Sequence, residues 1–419
     1  MNKDGKRIGV ALSGGGYRAA AFHLGTLRAL HKLNVLDKVD VISSVSGGSI
    51  IAAYYALHKD DFNYFEKTFQ KKLHTGVLKL SLALLFIIIT TIIVCIYYTS
   101  WYGLIISLLI LYFWGYKIMP SSTIISWQYN KLFFKNKRIK DLPDTPVLAV
   151  NTTDVERCRL FTFSKCRRYG WDFKNDEFDC DSFPLSKAVM ASSCVPTFFV
   201  PIRIPRKYWV KANKSPWLID GGLYDNQGTH VLIEHDEPPY GVDFAVVSDA
   251  SNTEIKTKWI FNIIPMILRS VDILMMRTQK MQRQNNNYRI ANKKHCAYSC
   301  LLWNNYDQYI SGYVRNLKNG YVPMETYSLH GITHEMVDRL RSEDKDVSNY
   351  AYNEILRKVQ DFIDWKELFK RTPSKETFNT AIKVCTNLLG LSDKKIYALS
   401  SIAEWETELQ VKLYLPQLL

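Results

Sequence analysis

Residues 39–48 read Val-Asp-Val-Ile-Ser-Ser-Val-Ser-Gly-Gly, an apolar run that ends in a serine and two glycines. The run predicts a buried strand, Val39–Val45, and the residues after it predict a helix, Gly48–His58. Ser46 therefore falls on a strand-to-helix turn, where a sharp bend exposes the hydroxyl and the dipole of the next helix points at it. Ser46 is a candidate nucleophile, although small residues around a serine also occur in ordinary turns.

A glycine-rich turn lies upstream, where residues 13–19 read Ser-Gly-Gly-Gly-Tyr-Arg-Ala. It follows a predicted strand, Arg7–Leu12, and opens a predicted helix, Gly16–Leu33. Consecutive glycines allow backbone N–H groups to converge on one anion, with the helix N-terminus behind them. The turn is a candidate oxyanion hole. The nucleotide fingerprints Gly-x-Gly-x-x-Gly and Gly-Lys-Ser/Thr are absent, and a tight turn without chemistry remains the alternative.

A candidate general base follows far downstream, where residues 217–222 read Trp-Leu-Ile-Asp-Gly-Gly. Asp220 ends a predicted strand, and the two glycines allow it to approach Ser46 closely and accept its proton. Such a pair needs no histidine. The alternative is an Asx turn closed by glycine, a common use of Asp-Gly.

Together these segments resemble the patatin-like phospholipases. That family has Gly-Gly-Gly-x-Arg/Lys-Gly, Gly-x-Ser-x-Gly and Asp-Gly-Gly or Asp-Gly-Ala in this order, and the chain has Gly14–Ala19, Ser44–Gly48 and Asp220–Gly222. A fourth stretch, Leu185–Pro201, looks like the family's Ala-Ser-x-Ala-x-Pro segment before the base. The chain differs at Ala19 and at Ser44, where the family has glycine.

The resemblance implies that Ser46 is the nucleophile and Asp220 the base of a Ser/Asp dyad. It also implies an oxyanion hole formed by the amides around Gly14, Gly15 and Gly16. Arg18 would support that hole or a substrate phosphate, since its planar fork suits oxyanions; the alternative is an exposed arginine at the start of a helix. His23 lies two turns into the same helix and is interpreted as a packing residue.

No metal or cofactor is expected. His295, Cys296 and Cys300 lie close together in sequence, but no partner pair follows at zinc spacing. The eight cysteines are too scattered for a disulfide framework.

A charge-free run, Leu80–Tyr116, predicts a membrane anchor. One helix of that length would far exceed a hydrocarbon core of roughly 30 Å. Two spans, Val77–Tyr98 and Trp101–Met119, are therefore expected, joined by a turn at Tyr97–Gly103 whose aromatic residues suit an interface. The alternative is a core hairpin of a soluble domain.

Basic residues flank this run on both sides and indicate that both ends face the cytoplasm. They are Lys67, Lys71, Lys72, Lys79, Lys117, Lys131, Lys135, Lys137, Arg138 and Lys140. The first residues lead directly into the first predicted strand, so no secretory signal is expected. This architecture favours an integral protein of a prokaryotic inner membrane, with two spans and a cytoplasmic catalytic domain.

The composition agrees with a membrane partner. An excess of 54 Lys and Arg over 40 Asp and Glu gives a net charge of +14, which without nucleic-acid motifs indicates attraction to anionic lipid headgroups. Ordinary solvated surface is the alternative. Nucleic acid is not an expected partner.

The alternation of predicted strands and helices indicates an α/β fold, and the resemblance implies a patatin-like three-layer α/β/α sheet. Further predicted strands are Val147–Asp154, Leu160–Phe163 and Phe244–Ser248; further predicted helices are Leu185–Ser192, Thr229–His235, Ile264–Met281, Ile332–Leu340 and Tyr350–Trp365. The predicted domains are residues 1–61 with 143–370 as the hydrolase, 62–142 as an inserted membrane hairpin, and 371–419 as a helical appendage.

The expected function is that of a membrane-anchored serine lipid acyl hydrolase of the phospholipase A type. It would cleave acyl esters of glycerophospholipids through an acyl-Ser46 intermediate, with Asp220 as base. Two alternatives remain open: a lysophospholipase or neutral-lipid esterase, and a catalytically silent membrane scaffold or effector with a hydrolase-like fold.

Overall fold

A computed structural model describes residues 5–118, 120–165, 177–196, 198–212, 214–233, 239–251, 295–302 and 305–419, with short stretches between 266 and 281. The apolar runs form a mixed eight-stranded sheet in the order β10-β9-β1-β2-β3-β8-β6, with β4 paired to β3. Its strands are β1 Ile8–Leu12, β2 Val41–Val45, β3 Val147–Asp154, β4 Arg159–Phe163, β6 Ile202–Arg203, β8 Trp217–Asp220, β9 Phe244–Asp249 and β10 His295–Cys300; β5 Glu177–Phe178 and β7 Trp209–Lys211 pair separately.

Strands β10, β9, β1, β2 and β3 are parallel; β4 and β8 pair antiparallel with β3, and β6 pairs antiparallel with β8. The parallel strands read as nearly continuous apolar runs because both faces of the sheet are covered. One face of β1, with Ile8, Val10 and Leu12, joins the main core under α1 and α2. The other face, with Ala11, packs against Val231 and Leu232. This is the expected α/β/α arrangement.

The helices of the first half are α1 Gly16–Lys32, α2 Gly47–Ala56, α3 Phe62–Leu73, α4 Lys79–Ile118, α5 Ser121–Tyr129, α6 Leu185–Ser192, α7 Gly222–Asp225 and α8 His230–Ile233. Of these, α1, α2, α6 and α8 begin within one residue of the expected positions, whereas α3, α5 and α7 were not expected. The second half has α9 Tyr309–Lys318, α10 Met324–Tyr327, α11 His334–Leu340, α12 Lys345–Phe362, α13 Trp365–Lys370, α14 Lys375–Ile382 and α15 Asp393–Tyr414. The expected helix Ile264–Met281 lies largely outside the described residues.

The apolar run differs from the expected hairpin, because α4 is one continuous helix of 40 residues. The expected turn at Tyr97–Gly103 is helical throughout. The run contains no proline, and Gly103 is the only glycine near its middle, so no residue there breaks the helix. Apolar side chains such as Phe86, at 71 % exposure, project into the surroundings. Within the described residues, Lys79–Tyr98 is the stretch long and apolar enough to cross a membrane.

The segments on either side of α4 belong to the body of the protein. Phe65 and Phe69 of α3, and Phe133 and Phe134 after α5, are buried in the main core. In the part of the insertion that the structure describes, it is therefore α4 that leaves the body.

The last helix also belongs to the body. One part of α15, around Leu399 and Ile402, joins the main core, and another, around Trp405 and Leu409, packs into a second core formed by α9 to α13. Thus α15 joins the sheet domain to this helical bundle, and the region expected as an appendage contributes to both cores.

Candidate active site

Ser46 sits between β2 and α2, on the turn predicted from the sequence. Its backbone adopts φ 50° and ψ −117°, an unusual conformation for a residue with a side chain, which costs on the order of 1–3 kcal/mol. The next residue must be glycine, because a Cβ on Gly47 would lie 1.9 Å from the carbonyl oxygen of Gly16. This close approach places the start of α2, and hence Ser46, beside the glycine-rich turn.

Asp220 reaches Ser46 from β8, which is separated from β2 by β3. Asp220 pairs with Thr152 of β3, and its carboxylate accepts the N–H of Gly222 at 2.7 Å. Burial raises the pKa of Asp220 to about 7, and the Gly222 N–H and the nearby Ser46 side chain act in the opposite direction. The carboxyl group is thus poised to exchange a proton near neutral pH.

The three glycines upstream play different roles. The Gly14 N–H donates to the carbonyl oxygen of Asn226 at 2.9 Å. It is therefore already bound within the protein and, contrary to the expectation, is not a free donor for an oxyanion. Gly15 has φ 139° and Gly16 φ 58°, conformations that favour glycine. Within the part of the chain that the structure describes, the N–H groups of Gly15 and Gly16 have no acceptor. These two amides are therefore the free donors of the turn.

A segment near the C-terminus covers this turn, which no sequence pattern indicated. The carbonyl oxygen of Asn387 accepts the N–H of Tyr17 at 2.9 Å, and the carbonyl oxygen of Leu388 accepts the N–H of Val77 at 3.0 Å. A Cβ on Gly16 would lie 2.4 Å from the Asn387 carbonyl oxygen. Asn387 thus holds the start of α1 in place, and the same segment anchors the chain just before α4.

Arg18 is buried rather than exposed. Its Nε donates to the carbonyl oxygen of Ala250 at 3.0 Å and its Nη1 to that of Val384 at 3.3 Å. Burial lowers its pKa to about 10, and Asp249 and Cys385 act in the opposite direction, so the guanidinium keeps its charge at neutral pH. Its Nη2 lies 3.2 Å from the position that a Cβ on Gly15 would take. Two of the Arg18 donors are thus bound to backbone oxygens, and the third nitrogen lies beside the glycine turn.

Ser192 was missed by sequence reasoning, although it lies in the Leu185–Pro201 stretch. Its hydroxyl oxygen accepts the backbone N–H of Ser46 at 2.8 Å, and its hydroxyl donates to the carbonyl oxygen of Asn151 at 2.7 Å. Ser49 Oγ lies 3.0 Å from Ser192 Oγ. These contacts tie the nucleophile turn to α6 and to β3.

Ser44, which stands where the family has glycine, joins the same network. Its hydroxyl donates to the carbonyl oxygen of Ala149 at 3.1 Å and accepts from the Ser49 hydroxyl at 3.1 Å. The extra side chain is therefore satisfied within the turn and does not displace α2 from β2.

His23 is a packing residue, as expected. Its Nδ1 lies 2.8 Å from Ser248 Oγ and its Nε2 2.8 Å from the carbonyl oxygen of Ser13. Burial lowers its pKa to about 4, with the Ser13 hydrogen bond and Asp249 opposing. The ring is neutral and steadies the end of β1. Among the described residues, no group of three acidic, histidine or cysteine side chains is arranged to hold a metal ion.

The described part of the segment after β9 reaches the site through one side chain. Residues 273–278 are helical, and Met275 Cε lies 3.1 Å from the position that a Cβ on Gly222 would take. Met275 therefore contacts the site beside Asp220.

The model of the patatin-like phospholipase family matches residues 10–233, which include the dyad and the glycine turn. The chain belongs to the patatin-like phospholipase family. A comparison with curated proteins gives no sequence match.

Solved structures similar to this patatin-like protein include a human and a bacterial chain. Human GIVD cytosolic phospholipase A2 has 12% identity and a TM-score of 0.38 over 60% of this chain and 46% of its own. VipD from Legionella pneumophila has 13% identity and a TM-score of 0.29 over 96% of this chain and 91% of its own. The patatin-like chain thus spans under half the length of the human enzyme.

Proposed function

We propose that this patatin-like protein is a membrane-anchored phospholipase that hydrolyses acyl esters of glycerophospholipids through an acyl-Ser46 intermediate. The observation that carries the proposal is the position of the Ser46 side chain beside the Asp220 carboxyl, whose pKa of about 7 suits a general base. Both groups are held in place by backbone contacts, so the pair is preorganised for proton transfer.

The proposed reaction begins when Asp220 takes the hydroxyl proton and Ser46 Oγ attacks the ester carbonyl carbon. The carbonyl oxygen becomes an oxyanion, which accepts hydrogen bonds from the N–H groups of Gly15 and Gly16 beside the N-terminus of α2. As the C–O bond breaks, Asp220 returns its proton to the leaving alcohol, a lysophospholipid. A water molecule then gives a proton to Asp220 and attacks the acyl carbon. The bond from that carbon to Ser46 Oγ breaks, Asp220 returns the proton to Oγ, and a fatty acid is released.

The membrane part of the proposal rests on α4 and its two ends. The N–H of Val77, just before α4, donates to the carbonyl oxygen of Leu388. The hydroxyl of Ser121, just after α4, donates to the carbonyl oxygen of Phe198 at 3.3 Å. Both flanking segments thus contact the body. A helix of about 60 Å is longer than a hydrocarbon core of roughly 30 Å, and its stretch Lys79–Tyr98 is long and apolar enough for one crossing. The basic flanks would place that body in the cytoplasm of a prokaryotic cell.

The test of the activity compares wild type with Ser46→Ala, and with Ser311→Ala on α9 as a matched control outside the site. A fluorophosphonate probe should label wild type and the control but not Ser46→Ala. Lipid mass spectrometry of expressing cells should show lysophospholipid and free fatty acid in the same two cases. Labelling without any change in cellular phospholipid would favour a lysophospholipase or neutral-lipid esterase. Absence of both signals in wild type would leave the scaffold hypothesis.

A further inference from the structure

A pocket of about 280 Å³ lies at the end of α2 remote from Ser46. The residues that line it come from that helix end, from α3 and from the turn after α5, and they include Tyr54, His58, Lys71, Lys72, Lys135 and Lys137. The pocket is therefore built by the segments that precede and follow α4, and it is separate from the dyad.

The charge of the pocket is positive and uncompensated. Within the described part of the chain, no carboxylate lines it and none pairs with its four lysines. Burial, together with the nearby charge of Lys135, lowers the pKa of Lys72. The fold thus holds like charges close together across the pocket, an arrangement that a bound anion would stabilise.

The turn that carries two of these lysines is fixed by the body. Lys135 and Asn136 have φ values of 44° and 64°. Asn130 holds them there: its carbonyl oxygen accepts the N–H of Lys135 at 2.7 Å, and its side chain forms two hydrogen bonds with Asn136, at 2.7 Å and 2.6 Å. Lys135 and Lys137 therefore face the pocket from a locked backbone instead of a mobile loop.

The opposite wall is aromatic. Lys72 Nζ lies 5.5 Å from the centroid of the Tyr54 ring, and the Tyr54 hydroxyl donates to Thr68 Oγ1 at 2.9 Å. Phe133 and Phe134 are buried beneath. The Lys72 ammonium also donates to the carbonyl oxygen of Leu132, so the apolar floor and this contact hold Lys72 at the pocket wall.

We propose that this pocket binds a phosphate-bearing anion. Ammonium groups donate charge-assisted hydrogen bonds to phosphate oxygens, and the pocket offers several donors with no competing carboxylate. The anion has two sources, the headgroup of an anionic phospholipid or a soluble phosphate. The site does not depend on the proposed hydrolysis, because binding can be measured in a protein whose nucleophile is removed.

The test uses the full chain with Ser46→Ala and measures acetylation of each lysine by mass spectrometry. One arm adds inorganic phosphate to protein in neutral detergent micelles. The other compares protein in phosphatidylcholine bilayers with and without phosphatidic acid. Lys135 and Lys137 should be protected, whereas Lys131 and Lys140, in the same segment but outside the pocket, should not. Protection by phosphate identifies a soluble anion as sufficient, and protection only by phosphatidic acid identifies the headgroup; either result supports the proposal.

A matched pair of double variants separates a built site from general charge. Lys135→Ala with Lys137→Ala should weaken binding roughly tenfold or more. Lys131→Ala with Lys140→Ala removes the same charge from the same segment and should change binding by less than about twofold. Equal loss in the two double variants, or no protection of Lys135 and Lys137 in either arm, would overturn the proposal and leave a solvated basic surface.

Discussion

The backbone N–H of Ser46 donates to the hydroxyl oxygen of Ser192, 2.8 Å away. This contact joins two of the motifs recognised in the sequence, the nucleophile turn and the stretch that contains α6. It holds the turn from outside the dyad, and Ser192 in turn donates to Asn151 on β3. The position of the nucleophile therefore depends on a residue that takes no part in the proposed chemistry.

Ser192→Ala should lower kcat roughly tenfold and destabilise the fold by about 1–3 kcal/mol, because a buried N–H and a buried carbonyl oxygen lose their partner. Ser193→Ala is the matched control, since the Ser193 hydroxyl donates to Val189 within its own helix. The control should show some loss of stability but near-normal kcat. Equal kcat values in the two variants, measured on a soluble ester, would contradict the positioning role.

Activity should rise with pH through about 7, because Asp220 must be ionised to accept the Ser46 proton and burial raises its pKa to that value. Asp220→Asn should lower kcat/KM by two to four orders of magnitude, roughly. The raised pKa has an opposite effect on stability: the neutral carboxyl is favoured in the fold, and that contribution is lost as pH rises through about 7. Thermal denaturation should therefore show Asp220→Asn gaining on wild type as pH rises from about 4 to about 7 and keeping that gain above it. A flat pH profile would point to another base.

Gly47→Ala should reduce kcat/KM roughly hundredfold, since its Cβ would lie 1.9 Å from the Gly16 carbonyl oxygen and force Ser46 away from the glycine turn. Gly312→Ala in α9 is the matched control, because its nearest neighbour would be Arg315 Nη2 at 4.0 Å. The control should stabilise the protein by about 0.5–1 kcal/mol. Steady-state kinetics with circular dichroism checks both, and full activity of Gly47→Ala would refute the close approach.

Arg18→Lys should lower kcat on a neutral short-chain ester and on phospholipid by the same factor, roughly tenfold. Lysine cannot span the Ala250 and Val384 oxygens as the planar guanidinium does, so the glycine turn loses support whatever the substrate. A loss confined to phospholipid would instead assign Arg18 to the substrate phosphate.

Replacing residues 80–116 by a short flexible linker should preserve cleavage of the soluble ester and reduce attack on bilayer phospholipid roughly hundredfold, because the anchor supplies a high effective concentration of substrate. If the linker variant and wild type cleave vesicle phospholipid at equal rates, the run does not present substrate and its role is in localisation or assembly. In the intact protein, a cysteine at Ser100 should react with an impermeant reagent from outside the cell, with wild type as background. Protection at Ser100 would contradict a membrane crossing by Lys79–Tyr98.

The central strands were predictable because they are buried on both faces and read as uninterrupted apolar runs; β3 and β8 have the expected bounds. The dyad was predictable because its residues lie in glycine-rich turns with distinct spacing. Strand β10 was not predictable, because its histidine and cysteines suggest a metal site. Its burial depends on pairing with β9, which is distant in sequence. The contact of Asn387 with Tyr17 links distant parts of the chain, and no local pattern indicates it. The length of α4 was also missed, because aromatic residues near a glycine suggest a turn but do not break a helix.

The hydrogen bond from the Tyr17 N–H to the carbonyl oxygen of Asn387 affects the order in which the protein folds during synthesis. During translation, Ser46 and α4 leave the ribosome long before residues 383–414 are made. A nascent chain can therefore reach the bilayer while its glycine turn still lacks the contacts from Val384 and Asn387. The start of α1 gains these contacts only after that late segment has folded back, so the glycine turn is completed late in synthesis.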